Sequence, residues 1–237
     1  MKPTGKTAAA CAIGAFLICA IATLYANRVD NSLSKEDKRY IPRYLEGIAL
    51  LPEKPTYTEE ITFIVSVQRS VLKVAPKNEG LPFDQQREPK DLYIAKTGLC
   101  YDRSRAIEKI LMYSGFKTRH ISIYSKKAAK SSVKSLTTPD IASHSITEVL
   151  TRNGWLVVDS NAPWISTDKD QHPVSIKDMQ SAADASIPIQ WSMQPPTKIY
   201  GEPFAFIYGL YSRHGRFYPP YNFIPDINYG EFIQNIW

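Results

Sequence analysis

The stretch Lys96-Thr97-Gly98-Leu99-Cys100-Tyr101-Asp102 puts a thiol at the head of a run whose apolar residues recur at helical spacing. Ala106, Ile107, Ile110 and Leu111 lie three and four apart, Cys100 shares a face with Ser104, Ile107 and Leu111, and Gly115 stands where such a helix would stop. Cys100 therefore belongs to a first helical turn, where unpaired backbone N–H groups and the helix dipole favour an anion. That setting promotes the thiolate, the form of cysteine that attacks carbonyl carbon. The effect is modest, and a nucleophile so placed still needs a base. The competing assignment for Cys100 is a small buried apolar residue.

Two further titratable residues come together in a predicted hairpin. Ser143 to Trp164 reads as two strand-like runs flanking Asn153-Gly154, with His144, Ile146, Glu148 and Leu150 on one face. In an antiparallel pair, any odd sum of paired residue numbers puts His144 and Asp159 on the same side of the sheet. Register decides whether they meet. With Asn153-Gly154 as a tight turn, Asp159 faces Glu148, roughly 13 Å along the strand from His144. A longer loop that pairs Leu150 with Trp155 sets Asp159 opposite Ile146, diagonal to His144. A contact between the two side chains thus predicts a turn looser than the dipeptide suggests.

The elements that must hold these residues are partly legible. Thr58 can cap a helix with Glu59 and Glu60 in its first turn and Ile61, Ile64, Val65, Val71 and Leu72 as its stripe, ending at Pro76. Lys77 to Gly98 is loop by its Gly, Pro and Asn content. Arg119 to Tyr124 alternates as a strand, and Ser125 to Asp140, rich in Lys and Ser, reads as a solvated loop. His120 sits one position off the apolar face of its strand and His172 lies in a polar loop, neither with ligand spacing to a second His or Cys, so no metal is predicted.

With these segments in place, the chain resembles the transglutaminase-like superfamily of papain-type cysteine enzymes. The matching residues are Gly98-Leu99-Cys100-Tyr101-Asp102, Gly115-Phe116-Lys117-Thr118-Arg119, His144-Ser145-Ile146-Thr147-Glu148-Val149 and Gly154-Trp155-Leu156-Val157-Val158-Asp159, within a span from about Thr58 to Trp164. The resemblance implies an α+β fold with the nucleophile at a helix N-terminus packed on an antiparallel sheet. It implies Cys100 as nucleophile, His144 as general base and acid, and Asp159 as the group that orients the imidazole. The backbone N–H of Cys100 would serve the oxyanion, with Gln68 and Trp155 as secondary candidates for oxyanion or substrate binding. A solvent-facing Gln68 is the competing reading. The implied activity is hydrolysis or transfer of peptide or protein acyl groups through an acyl-enzyme, with no cofactor. A catalytically silent module of the same fold, binding peptide or polysaccharide in envelope assembly, is the alternative.

The rest of the 237 residues bounds the context. A formal net charge of +6 from scattered Lys and Arg does not imply nucleic acid. Thr7 to Asn27 is uncharged and apolar over about the 20 residues that a bilayer core requires. It predicts a single-pass signal anchor, its N-terminus cytoplasmic beside Lys2 and Lys6 and its C-terminal domain periplasmic; cleavage after Ala20-Ile21-Ala22 is the alternative. Cys11 and Cys19 fall inside that segment, which leaves Cys100 the only thiol of the exported part. The expected organisation is a tail and anchor over 1–29, a linker with a short helix over 30–57, the catalytic domain over 58–185, and an aromatic-rich extension over 186–237. That extension reads as rings completing a core, or else as a groove wall for a cell-envelope polymer; Arg213, His214 and Arg216 read as a solvated turn, the alternative being contact with an anion.

Overall fold

The computed structural model describes residues 5–82, 87–127, 129, 131–138, 141–211 and 226–236; the side chains of residues 5–12 and 137 are outside that description, as are Arg213, His214 and Arg216. The chain is α+β. Helices α1 (Gly5–Ala26), α2 (Lys35–Tyr44), α3 (Tyr57–Val74), α4 (Pro89–Ala95) and α5 (Cys100–Tyr113) precede strand β1 (Lys117–Ser125). Helix α6 (Ser132–Thr137), strands β2 (Ser143–Thr151) and β3 (Gly154–Val158), helix α7 (Ile176–Asp184), strands β4 (Phe204–Tyr208), β5 (Leu210–Tyr211) and β6 (Asp226–Ile227), and helix α8 (Tyr229–Phe232) follow.

The main sheet is antiparallel in the order β3-β2-β1-β4, and both of its faces are covered. On one face Val149, Leu156 and Val158 pack with Phe63, Ile64, Val67 and Val71 of α3 and Ile107, Ile110 and Leu111 of α5. On the other, Ile121, Ile123, Ile146 and Val157 meet Trp164, Ile176, Met179, Tyr200, Phe204 and Tyr208. Strand β4 lies beyond residue 185 yet pairs with β1 through Ile121–Tyr208 to Ser125–Phe204, so the sheet is not confined to 58–185. Residues 30–57 likewise do more than link, because Ile41 and Tyr44 of α2 are in the core and Asp37 forms a buried ion pair with Lys109 of α5 at 2.6 Å.

Several expectations are corrected, and two spans expected to be loop contain the short helices α4 and α6. Helix α3 is capped by Thr56 rather than Thr58, since Glu59 at the third helical position closes a capping box with Thr56. The β2–β3 hairpin is paired as the looser loop requires, Leu150 opposite Trp155, but its turn is tight: Thr151 pairs with Gly154, leaving Arg152-Asn153 as the two-residue turn. The single-pass anchor is not upheld. Among the described residues no helix is long and apolar enough to cross a membrane. The expectation of a membrane-anchored, periplasmic domain, with contact to lipid through residues 7–27, falls with it.

Candidate active site

Cys100 opens α5 because the chain is locked just before it. Leu99 occupies the cap position in an extended conformation, and the Asp102 carboxylate accepts the Leu99 N–H at 2.9 Å. The same carboxylate pairs with buried Arg87, which also donates to the Leu81 and Pro82 carbonyls and ties the preceding loop to the helix start. Gly98 is buried at this junction, where an added Cβ would lie 2.4 Å from Leu92 Cδ1 and 3.1 Å from Asp102 Cβ. Gly98→Ala is therefore expected to lower stability by about 1–3 kcal/mol through overpacking, and to slow Cys100 alkylation at a temperature where the protein remains folded. A melt and an alkylation rate that both match the wild type would show that Leu92 yields at no cost.

The structure brings Cys100, His144 and Asp159 together. His144, at the start of β2, is buried, and its Nε2 is 2.9 Å from Asp159 Oδ2. The Cys100 side chain is close enough to the ring to act on its basicity. With Nε2 engaged by the carboxylate, Nδ1 is the nitrogen left for sulfur. Burial alone would lower the basicity of His144, but the hydrogen bonds and charges of Asp159 and Cys100 outweigh it and raise the imidazolium to about 10. Asp159 moves the other way: burial opposes its ionisation, yet donation from His144, Tyr200 and the Asn161 backbone holds the carboxyl below its ordinary value. The result is an imidazole whose cationic form is held by an ionised Asp159.

Every acceptor site that Asp159 offers is used. Oδ1 accepts the N–H groups of Asn161 at 2.7 Å and Ala162 at 2.8 Å, while Oδ2 accepts His144 and the Tyr200 hydroxyl. Tyr200 is buried, its ring stacked on Trp164 and set edge-on to His144. Sequence reasoning missed this residue, because nothing local to Lys198-Ile199-Tyr200 signals a carboxylate 41 positions away. A cleft of about 490 Å³ opens beside His144 and Asp159, its far wall formed by Pro196, Thr197, Lys198 and Ile199. It is large enough for an extended peptide segment or a comparable group.

The secondary candidates lie elsewhere. Gln68 is fully buried, not solvent-facing, and its amide N–H groups donate to the carbonyls of Asp159 (2.7 Å), Ala162 (3.0 Å) and Trp164 (2.7 Å). It braces the Asp159 loop against α3 and has no donor left for an oxyanion. Trp155 sits at the hairpin end of β3, under the Arg119 guanidinium at 3.9 Å and opposite Leu150, about 20 Å along β2 from His144. It does not line the cleft.

The remaining histidines do other work. His120 is buried and stacked on Tyr211 at 4.2 Å, and burial together with the Arg105 charge pushes it down to about 3, so it is a neutral packing residue. His172 lies with Asp168 and Asp170 in an exposed turn where their ligand atoms fall within 4.8 Å of one another. Asp168 Oδ1 accepts the backbone N–H groups of Asp170 and His172, which accounts for the arrangement as turn structure. Comparison of the chain with family models, with curated proteins and with solved structures yields no match.

Proposed function

We propose that this protein is a thiol enzyme that cleaves or transfers peptide or protein acyl groups through a Cys100 acyl-enzyme, with a site of the transglutaminase-like, papain-type kind. The observation that carries the reading is the buried imidazole of His144, hydrogen-bonded to a fully coordinated carboxylate and raised in basicity by that carboxylate and by Cys100, which opens a helix. In the mechanism that follows, the Cys100 thiolate attacks the carbonyl carbon and the backbone N–H groups at the start of α5 receive the developing oxyanion. The His144 imidazolium gives its proton to the leaving amine, and the acyl group remains on sulfur. Neutral His144 then takes a proton from water or from an acceptor amine, which attacks the thioester and frees the thiolate. Asp159 keeps the ring in one tautomer and offsets its charge throughout. Water as acceptor gives a peptidase or amidase, and an amine gives a transferase. An imidazole acted on by both a thiol and a buried carboxylate weighs against the purely binding role.

The test is alkylation of Cys100 in the full chain by iodoacetamide, read at peptide level so that Cys11 and Cys19 do not contribute. The wild type is expected to react at pH 6.5 within about threefold of its rate at pH 9.5, whereas an ordinary thiol drops roughly 100-fold over that interval. His144→Ala should restore the ordinary dependence. A wild-type rate that already drops 100-fold and ignores His144 would refute the reading.

A further inference from the structure

Asn161, just past Asp159 in the loop after β3, turns three polar groups three ways. Its backbone N–H donates to Asp159 Oδ1 at 2.7 Å. Its side-chain oxygen accepts from Nη1 of Arg103, a buried residue of α5, at 2.7 Å. Its side-chain NH₂ has no partner among the described residues. Which end of the amide meets Arg103 is decided by chemistry. A guanidinium carries donors and no acceptor, so it takes the oxygen, and the NH₂ is turned away from it. The guanidinium is itself fixed, because Nε and Nη2 donate to the Ala75 and Lys77 carbonyls at 2.9 Å and 2.7 Å.

Asn161 lines the cleft of about 490 Å³ together with His144 and Asp159. Other polar side chains on that lining offer less. Glu202 is paired with Lys127 at 3.1 Å, Lys198 is an exposed ammonium on the far wall, and serine and threonine hydroxyls rotate about the Cβ–Oγ bond. The Asn161 amide is different: the fold fixes its direction and leaves both of its hydrogens unused. A planar donor held in this way at a cleft wall selects an acceptor oxygen, and an extended peptide presents a carbonyl at every residue.

We propose that Asn161 is a substrate-binding residue of this site, its NH₂ donating to a backbone carbonyl of a peptide acyl chain beside the scissile bond. The inference rests on the reading of Cys100 as nucleophile and adds to it what the cleft grips. In that reading the scissile carbonyl oxygen belongs to the N–H groups at the start of α5, and the Asn161 amide serves a neighbouring carbonyl. The residue that holds the substrate is then the one whose backbone holds Asp159 Oδ1, which ties the position of the acyl chain to that of the carboxylate.

The experiment measures alkylation of Cys100 in the full chain, read on its own peptide, by two reagents with the same reacting group: chloroacetone and acetyl-alanyl-alanyl chloromethyl ketone. In each the sulfur displaces chloride from the methylene carbon beside the ketone, and only the second reagent carries peptide carbonyls. The ratio of the peptidyl rate to the chloroacetone rate isolates the backbone contacts, since a change in thiolate supply scales both rates alike. The wild type should favour the peptidyl reagent by about tenfold or more, as a directed backbone contact requires. Asn161→Ala keeps the backbone N–H on Asp159 and should lower the ratio about five- to tenfold, the worth of one hydrogen bond. Asn161→Asp keeps an oxygen for Arg103 but sets an acceptor where the donor stood, and should lower the ratio at least as far. If Asn161 served only to brace Arg103, Asn161→Asp would keep the wild-type ratio and Asn161→Ala alone would lose it, which overturns the proposal. A wild-type ratio near one, or a ratio unchanged in both variants, overturns it as well. Should Asn161→Ala fail to fold, Asn161→Asp decides alone, a retained ratio refuting the donor role. Failure of the nucleophile reading shows separately, as a chloroacetone rate at pH 6.5 that His144→Ala leaves unchanged.

Discussion

Asp159→Asn is expected to lower acyl transfer by roughly 10³- to 10⁴-fold while the chain stays folded. The expectation follows from which atoms the carboxylate already serves. Oδ1 accepts two backbone N–H groups, from Asn161 and Ala162, and those contacts oblige an asparagine to place its carbonyl oxygen there. Its NH₂ then falls at the Oδ2 position, facing His144 Nε2 and the Tyr200 hydroxyl. The hydroxyl can rotate to accept, but an Nε2–H cannot. The imidazole must therefore shift its proton to Nδ1, the nitrogen that faces the cysteine, and in that tautomer it cannot accept the thiol proton. The charge is lost as well as the geometry. With Asp159 neutral, burial is no longer outweighed and His144 moves downward from its raised value, so the thiolate loses its cationic partner at neutral pH. Alkylation of Cys100 at pH 6.5 provides the measurement in the absence of a known substrate, and a variant that reacts as fast as the wild type would remove Asp159 from the mechanism.

The parts of this site that could be read in the sequence are those set by local periodicity. The start of α5 follows from the three-and-four spacing after Cys100, and the shared face of His144 and Asp159 follows from strand alternation. Even the register was accessible, although the turn that sets it was not. Thr151 Oγ1 donates to the Gly154 carbonyl at 2.7 Å and accepts the Asn153 N–H at 3.3 Å, closing the hairpin one residue earlier than an Asn-Gly pair suggests. Arg103, Gln68 and Tyr200 show the limit. Each acts through a contact at least 41 residues distant, and an arginine or glutamine on a helix is exposed far more often than it is buried. What buries them is the loop after β3, whose path no pattern in the sequence specifies. The apolar N-terminal run misled as well: its composition matches a bilayer span, yet among the described residues no helix is long and apolar enough to cross a membrane.

The second large effect is on stability and lies outside the site. Glu108 of α5 and Glu231 of α8 are buried against each other, bridged by the Tyr211 hydroxyl and by Asn31 Nδ2 at 3.0 Å from Glu108 and 2.6 Å from Glu231. Arg105 reaches Glu108 at 3.4 Å, and the His120 backbone N–H donates to Glu231. Burial first and the Glu108 charge second raise the Glu231 carboxyl to about 9, so the pair holds one proton across the neutral range. The unfolded chain releases that proton near the ordinary 4.5. Between these limits the folded state binds more protons than the unfolded, and stability must fall as pH rises, by up to about 1.4 kcal/mol per unit. The contribution is full below pH 4.5 and is lost as pH passes about 9. Since this cluster joins α8 and β5 to α5, the C-terminal segment should be the first to loosen on the alkaline side. Glu231→Gln removes the titration while keeping a neutral partner for Glu108 and an acceptor for Tyr211. Urea melts from pH 5 to 10 should show a declining midpoint for the wild type and a nearly flat one for the variant over the same interval, with the variant the more stable of the two by about 1–3 kcal/mol at pH 9. Parallel pH profiles for the two proteins would mean that the carboxyl pair is ionised or solvated in the folded state.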